Sequence, residues 1–346
     1  MRRRLLRNTG KLTRSPLLSH AKFNPPSYDT YYALIQGRPW ELKTAVVTGG
    51  AGFIGSHLVN RLIRQSYKVI VIDDLSTGHK QKVPQQAELH IADVRSEMTR
   101  ETIRKSRPDL LIHLAAQADV RQSVDSPTFD ADVNVAGTLN LLEACRETKV
   151  KKFIFASTSG VYGDLAKEVL TELDPVKPIS FYGLSKWTAE QYIRLYDKFY
   201  DIPYTILRFA NVYGPGQTIK GEGGVVAIFM DRLKKGLPLP IFGDGEQTRD
   251  FIYVQDVAKA IVAAAERGTQ DTIHVSTGKK TSLNQLIAYL HELHPEEIEV
   301  LYQAAKPGDI RHSCLSNLKA RNDLQWKPEY AIKEGLAETY ANWAPL

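Results

Sequence analysis

The chain has 346 residues, 43% apolar and 24% charged, with two cysteines and a net charge of +6. That composition suits a globular enzyme with a large core, and two cysteines rule out a disulfide framework. No apolar run approaches the roughly 18 residues that a membrane span requires.

In chain order, residues 1–42 read as a basic, flexible extension, with one short helix over 27–42 broken by Gly37 and Pro39. Arg2, Arg3, Arg4, Arg7, Lys11, Arg14 and Lys22 stand among the first 28 residues with no acid, which leaves the other 318 residues at −1. The positive charge thus belongs to a tail and not to a nucleic-acid-binding face of the core, so nucleic acid is not an expected partner, and no membrane span is expected. The tail is open to three readings: an organelle transit peptide, a disordered basic arm or an expression remnant. With no disulfide framework, the expected setting is reducing and cytoplasmic, organelle import being the alternative. Cys145, in the apolar helical pattern of Leu141, Leu142 and Ala144, reads as a packed core thiol.

From Thr44 onward, strand and helix patterns alternate: a strand over 45–48, a helix to about Arg64, strands over 68–72, 88–91 and 110–113, a helix through 139–146, and a strand over 152–156. This predicts an α/β fold, a Rossmann-type doubly wound parallel sheet with helices on both faces. After 204–209 the chain turns loop-rich (Gly214, Gly216, Gly221, Gly223, Gly224) before a helix over 225–235. Segments 251–265 and 273–276 read as a return to the first unit, and 282–293 and 334–343 as C-terminal helices. The expected division is 43–212 plus about 251–277 for a nucleotide-binding domain, with a smaller, discontinuous substrate domain from about 213–250 plus 278–346.

The run Thr48-Gly49-Gly50-Ala51-Gly52-Phe53-Ile54-Gly55 reads as strand, tight turn and helix start, where backbone N–H groups face a pyrophosphate. Asp73, 18 residues after Gly55, closes the second strand and suits both hydroxyls of a ribose. A carboxylate there repels a 2′-phosphate, and no arginine follows in 74–78, so NAD is expected over NADP. Asp93, and Ala115 and Ala116 within His113–Gln117, follow the next strands, where loops cross a dinucleotide. Tyr182 and Lys186 lie four residues apart on a helix begun near Phe181 and so share a face. An ammonium one turn away lowers a phenol's pKa from about 10, which makes the tyrosine a general base for hydride chemistry on an alcohol.

In this order, Thr48–Gly55, Asp93-Val94, His113–Ala116, Asn134, Ser157-Thr158, Tyr182xxxLys186 and Arg208-Phe-Ala-Asn211 resemble the extended short-chain dehydrogenase/reductase family, and within it the UDP-hexose 4-epimerases. The resemblance covers about residues 43–346. It implies tightly held NAD that takes a hydride from carbon 4 of the sugar and returns it to the other face of a 4-keto intermediate. Tyr182, Lys186 and Thr158 match the catalytic positions, Thr158 bonding the 4-oxygen. Gly49, Gly52, Phe53, Ile54, Gly55, Asp73, Asp93, Val94, Ala115, Ala116 and Lys186 match the cofactor site.

The substrate site implied by the resemblance comprises Asn211 and Arg249 for the diphosphate, Phe242 beside the uracil and Asp309 for its ribose. Lys306 stands where many members carry a second phosphate-binding arginine, with Arg311 near enough in sequence to compensate. Ser313, or Cys314 after a one-residue slip, flanks the sugar's 2-position; a small side chain there leaves room for an acetamido group and favours UDP-GlcNAc/UDP-GalNAc, alongside UDP-Glc/UDP-Gal. Ser159-Gly160 lacks the carboxylates that follow the active-site threonine in 4,6-dehydratases and decarboxylases. The alternatives are a UDP-glucuronate 4-epimerase or decarboxylase and, in another class, a non-catalytic NAD-binding sensor or scaffold. The resemblance also implies a homodimer formed through helices at roughly 129–148 and 182–200. No metal site is expected.

Overall fold

In a computed structural model, residues 42–219, 221, 223–305 and 310–343 are described. The expected short helix at 27–42 lies outside the described residues but for Leu42. Strands β1 (Thr44–Thr48), β2 (Lys68–Asp73), β3 (Glu88–Ile91), β4 (Leu110–His113), β5 (Lys152–Thr158) and β6 (Tyr204–Phe209) alternate with helices α1 (Phe53–Arg64), α2 (Glu97–Ser106), α3 (Val120–Asp125), α4 (Pro127–Ala131), α5 (Gly137–Thr148) and α6 (Phe181–Tyr200). Then follow β7 (Asn211–Tyr213), α7 (Val225–Lys234), β8 (Leu239–Phe242), β9 (Thr248–Arg249), β10 (Phe251–Tyr253), α8 (Val254–Glu266), β11 (Asp271–Val275), β12 (Thr281–Ser282), α9 (Leu283–Leu293), β13 (Val300–Gln303), α10 (Leu318–Asp323) and α11 (Ile332–Ala341).

Seven strands form one parallel sheet in the order β11-β6-β5-β4-β1-β2-β3. The order reverses between β1 and β4, and a crevice opens beyond their C-terminal ends, where doubly wound sheets hold their ligands. Period-two alternation builds a core on each face. Val47, Val71, Ile112 and Ile154 meet Leu58 and Leu62 of α1 and Ile261 of α8. Val46, Ile70, Leu111 and Phe153 meet Leu141 and Leu142 of α5 and Ile193 of α6. Strands buried on both faces need apolar residues at every position, which is why these segments read as continuous apolar runs.

A third core gathers Phe229 and Met230 of α7, Leu239 and Ile241 of β8, Leu286 and Leu290 of α9 and Leu336 of α11 against Tyr213 and Phe251. Around it lie three two-stranded pairings, β7 with β10, β8 with β13 and β9 with β12. These strands are two to four residues long, too short to display a period, and the sequence reading missed them.

The helix expected at 139–146 is the last part of a longer composite. Pro127 starts α4, and residues 132–136 form a π-helical turn before α5. The turn aims Asn134 inward, where its Nδ2 donates to the Gln117 carbonyl (2.9 Å) and to Ser185 Oγ (3.0 Å), and its Oδ1 accepts from the Gln117 N–H (3.0 Å). A π turn of this kind trades regular bonding for a re-aimed side chain.

Candidate active site

Gly49 has a φ of +72°, and a Cβ there would lie 2.6 Å from the Ala115 backbone nitrogen. A Cβ on Gly55 would run into the Gly49 carbonyl. Only glycine permits the turn between β1 and α1, whose uncapped first N–H groups then face the crevice. Asp73 Oδ2 accepts from the Ala51 N–H and Oδ1 from the Leu75 N–H, both at 2.9 Å. Burial pushes this carboxyl above its usual range. A cradle emptied of side chains, with a carboxylate at its edge, fits a dinucleotide carrying free ribose hydroxyls.

The crevice widens into a cavity of about 730 Å³. It is lined by Gly49, Gly52, Phe53, Ile54, Gly55, Ala116, Thr158, Tyr182, Lys186, Asn211, Phe242 and Arg249, twelve of the residues singled out in the sequence. Asp73, Asp93, Val94, Ala115 and Ser313 do not line it. Asp93 is held by Arg95, whose Nη2 and Nε donate at 2.6 and 2.9 Å and keep its carboxyl below the usual range. Val94 is buried beneath Gly137, and Ser313 donates its N–H to the Thr248 carbonyl, beside the β9 strand that carries Arg249. Lys306 and Asp309 lie outside the described residues. Arg311 does not reach the cavity: its guanidinium makes a two-pronged pair with Asp244 at 2.7 and 2.8 Å on the surface. Cys314 is buried, its thiol pushed up to about 12, and does not line the cavity either.

Ser180 caps α6, accepting from the Gly183 N–H at 3.0 Å. A Cβ on Gly183 would stand 2.6 Å from the Gly160 carbonyl, so this glycine lets the helix start press against the turn after β5. Tyr182 and Thr158 thereby line the same cavity. Thr158 Oγ1 accepts the Gly160 N–H at 3.0 Å, which leaves its own proton to donate. Lys186 is buried, its Nζ 4.6 Å from the centre of the Phe155 ring.

Two buried polar chains, neither anticipated from sequence, fix these groups. In the first, Thr138 donates to the Asn134 carbonyl (2.6 Å) and so accepts from His113 Nε2 (3.1 Å), while His113 Nδ1 accepts from Thr48 Oγ1 (2.8 Å). This assigns His113 as the neutral Nε2–H tautomer. Burial, then the Lys186 charge, holds its pKa well below the usual value. Lys186 therefore has an uncharged imidazole for a neighbour.

In the second, Glu190 continues the α6 face of Tyr182 and Lys186, one further turn along. It is fully buried and accepts from Ser157 Oγ (2.6 Å) and from Arg208 Nε and Nη2 (2.9 and 2.6 Å). Arg208 Nη1 donates to the Tyr162 hydroxyl (2.6 Å), which donates to His274 Nε2 (2.6 Å). Burial and then the Arg208 charge push His274 down to about 3, so it is neutral. The i, i+4, i+8 spacing of 182, 186 and 190 was the legible signal for Glu190; nothing local in the sequence pairs it with Arg208.

A nucleotide cradle at the switch point, with a tyrosine, a lysine and a threonine converging beside it, defines a dehydrogenase-type site for an alcohol. The family model for the NAD dependent epimerase/dehydratase family matches residues 45–276, and the chain belongs to that family. It is 44% identical over 299 residues to a putative UDP-glucose 4-epimerase of Methanocaldococcus jannaschii, covering 86% of this chain and 97% of the relative. Among solved structures, the UDP-glucose 4-epimerase of Thermotoga maritima with UDP-glucose superposes with a TM-score of 0.83 at 42% identity, covering 86% of this chain and 98% of that one. A UDP-N-acetylglucosamine 4-epimerase from Methanobrevibacter ruminantium, in complex with UDP-N-acetylmuramic acid, gives 0.83 at 34% identity over 88% and 98%. A UDP-glucuronate 4-epimerase of Thermodesulfobacterium geofontis is also matched, at 31% identity over 86% of this chain and 95% of its own.

Proposed function

We infer that the chain is an NAD-dependent 4-epimerase of a UDP-hexose. The observation that carries this reading is the convergence of Tyr182, Lys186 and Thr158 on one cavity that the glycine turn and Arg249 also line. Bound NAD supplies a reversible hydride acceptor for carbon 4. Tyr182 accepts the proton of the 4-hydroxyl and returns it, and the Lys186 ammonium one turn away favours the phenolate this requires. Thr158, with its proton free to donate, holds the 4-oxygen through both transfers. Ser159 and Gly160 provide no acid or base for elimination, which speaks against a dehydratase.

Arg249 is the proposed diphosphate clamp, by two-pronged contact, with Asn211 beside it and Phe242 against the base. Residues 43–212 with about 251–277 would carry NAD, and about 213–250 with 278–346 the nucleotide sugar, the third core joining residues of both parts (Phe53 and Phe251 with Phe229 and Leu286). Acceptance of a 2-acetamido sugar rests on the resemblance that puts the small Ser313 beside the sugar's 2-position; Ser313 lies next to β9 but does not line the cavity. A homodimer is supported by an exposed apolar face on α6 (Phe181, Leu184, Leu195, Phe199) continued by Val120, Val124 and Phe129. Two free, buried thiols favour a reducing, cytoplasmic setting; none of the described helices is long and apolar enough to cross a membrane.

The test is proton NMR of the purified protein with UDP-Glc, UDP-GlcNAc and UDP-glucuronate in turn, without added NAD. Galacto-configured anomeric signals from either neutral sugar are expected. A pentose product, or turnover of the glucuronate alone, would overturn the neutral-hexose reading, and silence with all three in an NAD-bearing protein would favour the sensor class.

A further inference from the structure

The chain leaving β7 turns back over the glycine cradle, and two side chains from the opposite side of the crevice hold it there. His57, on α1 one turn beyond Phe53, donates from Nε2 to the Pro215 carbonyl at 2.9 Å. Its Nδ1 accepts from Gln255 Nε2 at 2.9 Å, which fixes the donating tautomer. Lys82 Nζ, from the short 3-10 turn over Lys80–Lys82, donates to the next carbonyl, that of Gly216, at 2.9 Å. Further along the same segment a Cβ on Gly221 would lie 3.2 Å from Thr77, in the loop after Asp73. Between these anchors, Gln217, Ile219 and Gly221 line the same cavity as Gly49, Gly52 and Gly55.

Consecutive carbonyls held by two side chains are a clamp on backbone, not a packing contact. Gly214 and Gly216, with φ of +151° and +83°, give the segment the bend it needs to present both carbonyls to α1 and the 80–82 turn. The two donors belong to the half of the molecule that carries the glycine turn, while the segment they hold leads to α7 and the third core. Burial keeps His57 below its usual pKa, aided by the nearby Lys82 charge, so the imidazole holds this bond in its neutral form at pH 7.

We propose that His57 and Lys82 are positioning residues that latch the 214–217 segment over the dinucleotide, so that NAD is gripped between this segment and the glycine turn and stays bound through repeated turnovers. The proposal rests on the reading that the cavity takes NAD. Neither side chain lines the cavity, so their effect passes through the backbone they hold.

The experiment measures NAD bound to the purified full-length protein and its rate of release into excess unlabelled NAD, together with the thermal midpoint of the NAD-free protein. For the loss of one neutral and one charged hydrogen bond, release is expected to quicken about 5-fold in His57→Ala and about 20-fold in Lys82→Met. Gln and Arg, which keep a donor, should restore slow release at positions 57 and 82 respectively, whatever small fall the loss of these bonds brings to the NAD-free midpoint. If the variants release NAD at the wild-type rate, or if only the NAD-free midpoint falls, the latch is wrong and the contacts serve the fold alone. A wild-type protein that binds no NAD would instead defeat the cofactor reading itself.

Discussion

The wall of the cavity built by β5 and α6 and the wall built by β8 and β9 are made differently. On the first, Lys186 and Glu190 are buried, and the neighbouring Ser157, Arg208, Tyr162, His274 and His113 complete two continuous chains of hydrogen bonds. On the second, Phe242 and Arg249 are half-buried, and Arg249 Nη1 donates to the carbonyl of its own neighbour Thr248 at 2.9 Å. Bonds to a carbon-4 oxygen must hold while a hydride crosses, and a group displaced by an ångström loses most of its effect. A diphosphate is large, charged and tolerant. The comparison teaches that the proposed catalytic groups stand against two continuous buried chains of hydrogen bonds, whereas the proposed diphosphate clamp is half-buried, with the order of its wall carried by the next residue, Asp250, which accepts from Thr277 and Gly278.

The largest expected effect tests the first wall at its centre. Tyr182→Phe should lower kcat by about 10³-fold or more, the range for loss of a positioned general base, while bound NAD measured by absorbance is unchanged. Retained turnover would move the base elsewhere. Next, Glu190→Ala strands the Arg208 guanidinium in the core. Breaking a buried pair from one side costs about 3–5 kcal/mol, and chemical denaturation should show a loss of that size. Arg249→Ala, on the other wall, should cost less stability than Glu190→Ala and, if Arg249 is the diphosphate clamp, raise KM for the UDP-sugar about 10-fold or more. Similar stability losses at 190 and 249 would erase the distinction between the walls.

A smaller effect concerns pH. His113 and His274 are neutral in the fold with pKa values depressed by burial, so the unfolded chain binds their protons first as pH falls. Their contribution to stability is complete above the unfolded value near 6.5 and is lost below it, at up to about 1.4 kcal/mol per pH unit for each. Melting curves between pH 7.5 and 5 should show a falling midpoint, and His274→Gln should make the fall shallower.

Strands β1, β2, β4 and β5 were legible because burial on both faces leaves apolar runs, and the glycine turn because backbone approach forbids side chains. Tyr182 and Lys186 were legible because their four-residue spacing puts both on one helix face and the family motifs around them match. The Glu190–Arg208 and His113–Thr138 links were not, since they join residues 18 and 25 positions apart on different elements, which only the folded sheet brings together. The π turn at 132–136 was hidden for a related reason: it exists to aim Asn134 at Gln117 and Ser185, partners that no local pattern announces. Arg311 shows the opposite error, sequence proximity to a phosphate position where the fold supplies Asp244 instead.

The most direct test of the central claim follows carbon 4 itself. UDP-glucose deuterated at carbon 4 is incubated with the protein in ordinary water, and the galacto product is examined by NMR and mass spectrometry. A closed hydride transfer under Tyr182, Lys186 and Thr158 predicts product with the deuterium fully retained at carbon 4. Product that has exchanged its label with solvent would mean that the carbon loses a proton and not a hydride, and would contradict the account.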